Sequence, residues 1–369
     1  MHAVPPTAAV VSAPGTAAVA ALNAGASAAF GAGDAQAPLP SELLAQVVGY
    51  ATSARAATTR RAYGSDWEHF RSWCAEHGRH PLPAIPETVA AYLTSFAGTL
   101  ATSTLSRRRT VIRIAHRAAG LDSPTEHPGV REVWSGIRRD HGTATAAKTA
   151  LWTADLARLI ATIPGAGRPS DPGVLLGARD RALLLVGFAG ALRRSELSAL
   201  DVTDLTADPH GLVLRIGRSK TDPTGAGTVV GIPHAHQPEL CPVRAVQAWR
   251  VALATTLDVD EGALSGPLFR PVDRHGHLGA PRATAGPATR LSPAAIRLVV
   301  QRRCDAAGLD PAQYGAHSLR SGFATQASAN GAAERDVMRH GRWRSVAVAR
   351  GYVQRGNLFT DNAAGRLGL

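Results

Sequence analysis

Apolar positions recur with a helical period through residues 41–145. In TTRRAYGSDWEHFRSWCAEHG, Tyr63, Trp67, Phe70 and Cys74 stand at i, i+4, i+7 and i+11. That spacing draws one face of a helix, and Gly78 supplies its stop. PETVAAYLTSFAG predicts a second, shorter helix. STLSRRRTVIRIAHRAAG predicts a third, with Leu105, Ile112, Ala115 and Ala119 turned inward. Arg109, Arg113 and Arg117 fall at i, i+4 and i+8 on its other side. Such a stripe is read either as a solvated face or as a contact for a nucleic-acid backbone. GVREVWSGIRRD predicts a fourth helix, and HGTATAAKTALW reads as a linker containing Lys148.

The pattern changes from Thr149 onward. TADLARLIATI begins at a plausible cap, Thr153, and turns Leu156, Leu159, Ile160 and Ile163 inward. ARDRALLLVGFAGAL is apolar nearly all round, which predicts a buried central helix. GLVLRIGRSKTDPTGAGTVVGIP switches to β-branched residues about a Pro/Gly-rich turn, predicting a hairpin with Lys220 at or just before its tip. LSPAAIRLVVQRRCDAAGL carries Ser292 as N-cap, Pro293 in the first helical position and Gly308 at the end. Short helices are expected over 317–356. Residues 1–40 are rich in Ala, Gly and Pro, with no charge before Asp34. They predict a disordered tail rather than a signal peptide or membrane span. The expected organisation is therefore a tail over 1–40, a helical domain over 41–145 and a second domain over 149–369.

Charge narrows the partners. A net charge of +12 on 369 residues points to a polyanion, with nucleic acid as the first candidate. Cys74, Cys241 and Cys304 are odd in number and far apart, which argues against a disulfide framework or a cysteine zinc cluster and fits a cytoplasmic setting. Of 40 basic residues, only Lys148 and Lys220 are lysine. Neither follows glycine, so a phosphate-binding loop for ATP is excluded. They are also the two cationic side chains able to give up a proton near neutral pH, since arginine does not.

Four features of the second domain carry chemistry. Arg193 and Glu196 in LRRSEL lie one turn apart, so the carboxylate can aim the guanidinium. Lys220 sits on the hairpin. His317 and Arg320 in HSLR share a face near an expected helix N-terminus, where free N–H groups favour anions. Trp343 and Tyr352 in HGRWRSVAVARGY stand among arginines. Each alone has an ordinary structural explanation. Together they suit phosphoryl transfer, with two arginines clamping a phosphodiester, a tyrosine attacking phosphorus and a lysine protonating the leaving oxygen.

In that order and spacing, the set closely resembles the tyrosine recombinases of the phage integrase family, over about residues 45–369. The resemblance implies a mainly α fold: a helical core-binding domain plus an α+β catalytic domain with a small antiparallel sheet. It implies a C-shaped clamp on double-stranded DNA and a homotetramer that joins two sites through a Holliday junction, without ATP, metal or other cofactor. It assigns Arg193 and Arg320 to the scissile phosphate, Lys220 to the 5′-oxygen and His317 to proton transfer. It makes Trp343 an indole donor, Glu196 an orienting group and Tyr352 the nucleophile. Many members have His where Trp343 stands, and an indole cannot accept a proton. Arg194 competes with Arg193 by adjacency, and the three-residue step to Glu196 favours Arg193. Two other readings compete. GAAERDVMRHGRWRSVAVARGYV passes for a helix-turn-helix regulator, or for part of a degenerate, inactive recombinase, and a type IB topoisomerase uses similar chemistry as a monomer.

Overall fold

The computed structural model describes Glu42, Gln46, residues 57–143, 148–164, 173–217, 227–279 and 289–356, with Ala364 and Leu367. The tail expected over residues 1–40 lies outside the described residues. The chain divides into two units, Met1–Ala146 and Ala147–Leu369.

The first unit is helical: α1 (Ala57–Glu76), α2 (Pro86–Ser95), α3 (Thr102–Ala118) and α4 (Pro128–His141). Trp67, Phe70 and Cys74 of α1 are buried with Tyr92 and Leu93 of α2, Leu105 and Ile112 of α3, and Trp134 and Ile137 of α4. Phe70 meets Tyr92 edge-on with ring centroids 4.8 Å apart, the arrangement that aromatic quadrupoles favour. Asp66 is buried and answered by Arg107 at 2.6 Å. Helix α3 departs from its sequence pattern in two respects. Ala119 is exposed because it caps the helix, while Val111 and His116 enter the core. The arginine stripe is not evenly solvated either. Arg109 lies over the Trp134 ring at 5.7 Å, Arg113 is 3.9 Å from Glu126, and Arg117 is exposed.

His116 ties α3 to the turn before α2. Its Nε2 accepts from the Ala84 N–H at 2.9 Å, so its Nδ1 carries the proton and donates to the Ile112 carbonyl at 2.8 Å. The ring is 1% exposed, and that burial lowers its pKa below 6.5, partly offset by the bond to Ile112. The folded state therefore binds fewer protons than the unfolded state, and stability falls as pH drops below about 6.5 toward the lowered value. In urea titrations between pH 7.5 and 5, His116→Gln is expected to be less stable at pH 7.5 but to lose less on acidification than the parent chain. An unchanged acid slope would contradict the neutral assignment.

The second unit contains α5 (Thr153–Ala161), α6 (Val174–Ala189), α7 (Arg194–Ala199), β1 (Leu205–Asp208), β2 (Gly211–Ile216) and β3 (Thr228–Pro233). It continues with α8 (Pro242–Leu257), α9 (Pro293–Ala306), α10 (Ala316–Ala329), α11 (Glu334–Gly341) and α12 (Val346–Gly356). The fold is mainly helical, with a small antiparallel sheet of order β1-β2-β3. Strands β2 and β3 form the expected hairpin, with Ile216 opposite Thr228. Lys220 falls in their connection, at residues 218–226, and lies outside the described residues. Helix α6 is buried as its composition requires, and its one buried ion pair, Arg179–Asp180 at 2.5 Å, is joined by Arg303 at 2.7 Å from Asp180.

Two local expectations give way. Thr153 is the first residue of α5 rather than its cap. Trp152 holds that place, and the Thr153 N–H donates to Gln326 Oε1 at 3.1 Å. Lys148 and the residues after it do not behave as a linker. Lys148 Nζ donates to the Ala312 carbonyl, the Thr149 N–H to the Gln313 carbonyl at 2.9 Å, and the Leu151 N–H to the Ser318 carbonyl at 3.0 Å. This segment lies so close on α10 that a Cβ at Gly322 would be 2.0 Å from the Leu151 carbonyl oxygen. The segment thus braces the helix that carries His317 and Arg320.

Candidate active site

The second unit brings six of the sequence-selected residues together: Arg193, Glu196, His317, Arg320, Trp343 and Tyr352. Arg193 caps α7 directly after the end of α6. Its backbone N–H donates to Glu196 Oε2 at 2.9 Å, and its Nη1 donates to Glu196 Oε1 at 2.5 Å. One carboxylate thus fixes both the cap and the direction of the guanidinium. Arg194 is exposed, so the three-residue step selects the inward arginine.

Arg320, on α10, is 2% exposed. Its Nη1 donates to the Ala191 carbonyl, its guanidinium carbon lies 4.1 Å from the centre of the Trp343 ring, and its Nη2 is buried without a hydrogen-bond partner among the described residues. Burial, with the positive charges of Arg193 and Arg342, lowers its pKa to about 9. The group is still cationic at pH 7. A buried cationic group with an unpaired donor nitrogen is costly unless an acceptor arrives.

Trp343 reaches this place because the chain turns sharply behind it. A Cβ on Gly341 would sit 1.5 Å from the Trp343 ring, so the residue two before Trp343 must lack a side chain. The face of the Trp343 ring is what the Arg320 guanidinium rests on.

Tyr352 is on α12, which packs closely on α10: a Cβ at Gly356 would meet the Thr325 carbonyl oxygen at 2.4 Å. Its hydroxyl is 2.8 Å from His317 Nε2, and its ring centroid is 5.7 Å from that of Trp343. His317 has an exposed edge. The burial of its other side, with Arg320 and Arg193, holds its pKa below the ordinary histidine value. The imidazole is therefore neutral at pH 7 and can accept a proton from the phenol.

Arg342 and His340 lie in the same HGRWRSVAVARGY stretch as Trp343 and Tyr352, carry no spacing that marks them in the sequence, and are both built into the site. Arg342 Nη2 donates to Glu196 Oε2 at 3.0 Å and to the Ala191 carbonyl at 3.1 Å; its Nη1 donates to the Gly190 carbonyl at 3.2 Å. His340 Nε2 bonds the Ala189 carbonyl at 2.7 Å. The carbonyls at the end of α6, the negative end of its dipole, are thus met by side chains of this cluster. Burial would raise the Glu196 pKa, but the charge of Arg342 and the bonds from Arg193 more than offset it, so the carboxylate is ionised. Arg109, Arg113 and Arg117 belong to the first unit.

No protein-family model matches the chain. It is 37% identical over 316 residues to an integrase/recombinase XerD homolog of Selenomonas ruminantium, covering 85% of this chain and 86% of the relative. It is 26% identical over 302 residues to recombinase Cre of Escherichia phage P1, covering 79% and 82%. Among solved structures, the fold is similar to the XerH site-specific recombinase in its post-cleavage complex with a palindromic difH substrate. That match has a TM-score of 0.57 and 18% identity, and it covers 89% of this chain and 85% of that one. With this extent of similarity and an arginine–glutamate–histidine–arginine–tryptophan–tyrosine cluster in the second unit, the chain belongs to the tyrosine recombinase family.

Proposed function

We propose that the chain is a site-specific DNA recombinase that cuts and rejoins duplex DNA through a 3′-phosphotyrosine intermediate. The observation that carries this reading is the Tyr352 hydroxyl at 2.8 Å from His317 Nε2, in the same cluster as the unsatisfied Nη2 of Arg320. Arg193 and Arg320 would hold the non-bridging oxygens of the scissile phosphate and stabilise charge as it builds there. The Tyr352 oxygen attacks phosphorus while its proton passes to His317. The bond to the 5′-oxygen breaks, and Lys220 supplies a proton to that oxygen. Reversal by the 5′-hydroxyl of another strand reseals the backbone, so the bond energy is kept in the phosphotyrosine ester and no nucleotide is consumed.

The helical first unit would serve as the core-binding domain, with Arg117 the most accessible of its three stripe arginines. The partner would be double-stranded DNA in the cytoplasm, and exchange between two duplexes would need a homotetramer of four sites.

A plasmid carrying two copies of the target, taken from genomic DNA flanking the coding sequence, tests this. Recombinant circles that depend on both copies are expected, with light scattering giving a tetramer on DNA. Relaxation of any plasmid by a monomer would overturn the reading in favour of a topoisomerase, and binding without strand exchange would favour a regulator.

A further inference from the structure

Arg342 is a non-glycine residue in the left-handed region, with φ 59° and ψ 40°. That conformation is unfavourable for a side chain with a Cβ, and a glycine would adopt it freely. An arginine here therefore needs a reason beyond the turn. Its guanidinium is 7% exposed and bonds Glu196 and the carbonyls of Gly190, Ala191 and His340, while its own backbone carbonyl accepts from Arg193 Nη2 at 3.3 Å. One residue thus grips the carboxylate that aims Arg193, the end of α6 that leads into Arg193, and Arg193 itself. It also directly precedes the ring on which Arg320 rests.

We infer that Arg342 is a positioning residue for strand cleavage, acting through Glu196 to fix the direction of the Arg193 guanidinium. The inference rests on the recombinase reading above. It gives Glu196 two cationic partners with different tasks: Arg193 delivers charge to the phosphate, and Arg342 keeps the carboxylate ionised and in place while Arg193 does so. Three charged groups face that carboxylate: Arg193 at the cap of its own helix, Arg342 at the end of α11 and Arg320 on α10.

Arg342→Gly separates the turn from the guanidinium, because glycine keeps the left-handed backbone at lower cost. Covalent adduct formation on nicked duplexes from the flanking genomic DNA is measured beside DNA affinity, for the parent chain, Arg342→Gly, Glu196→Gln and the double variant. The expected result is unchanged affinity for Arg342→Gly, cleavage about 10- to 100-fold slower, and an acid limb of the rate profile displaced to higher pH. Little further loss is expected in the double variant, since groups acting as one unit are not additive. Arg342→Lys restores a cation beside Glu196 but cannot span the same carbonyls, so it is expected to recover part of the rate. Cleavage at the parent rate in Arg342→Gly, losses that multiply with Glu196→Gln, or a folded lysine variant no faster than glycine would each overturn the inference. If Arg342→Gly does not fold, the same cycle with Arg342→Lys decides: losses that multiply overturn it, and shared losses support it. Absence of any adduct from the parent chain would instead overturn the recombinase reading, and this inference with it.

Discussion

Tyr352→Phe is expected to bind its target duplex with parental affinity and to form no covalent adduct. The change removes one oxygen from a partly exposed ring. The hydroxyl's partner, His317, has an exposed edge and can turn to water, so the stability cost is expected to stay below about 1 kcal/mol. The loss of cleavage should be on the order of 10⁶-fold, the scale seen when a covalent nucleophile is removed. Denaturing gels of a nicked substrate check this directly. Binding that weakens in step with cleavage would make Tyr352 a DNA contact rather than the nucleophile.

Lys220→Arg is expected to bind DNA well and to cleave about 10²–10⁴-fold more slowly, the usual range for losing a general acid. Arginine has displaced lysine almost everywhere in this chain, yet the β2–β3 connection keeps one. Charge does not require that, since the substitution preserves it. Proton donation does, because a guanidinium with a pKa above ~12 is a very poor acid at pH 7. A substrate with sulfur in place of the 5′-bridging oxygen separates the two roles. A thiolate leaves without a proton, so the variant should cut that substrate at close to the parental rate. Normal cleavage of the oxygen substrate by Lys220→Arg would reduce the residue to a surface cation. Failure of sulfur to restore the rate would make it a phosphate contact and move proton donation to His317. Lys148 is a weaker substitute, because its ammonium is engaged by the Ala312 carbonyl.

Much of this architecture is legible in the sequence. The apolar stripe through Trp67, Phe70 and Cys74 and the all-round apolarity of α6 report burial directly, because helical period and burial are the same fact seen twice. The Arg193–Glu196 step was legible for a similar reason: one helical turn puts the two groups in reach. What escaped depends on long-range or backbone-level causes. β1 has one buried residue followed by three exposed ones, so no alternation marks it. Ala119 lies in phase with the α3 core but beyond the helix end. The stacking of Arg109 on Trp134 has no trace in the sequence, because nothing in the helical period says that the two lie within reach. Arg342 was hidden most thoroughly. Its role arises from a left-handed turn and a carboxylate 146 positions away, and neither leaves a periodic trace. The single hint was an arginine next to Trp343 where glycine would fit the turn best.

If Tyr352 is the nucleophile, it holds the broken DNA strand as a 3′-phosphate ester. The most direct measurement is to trap the parent chain on a nicked duplex, digest protein and DNA, and locate the adduct by mass spectrometry. One modified peptide is expected, with the nucleotide joined through its 3′-phosphate to Tyr352. An adduct on another residue, a linkage through the 5′-phosphate, or cleavage with no covalent intermediate would contradict it.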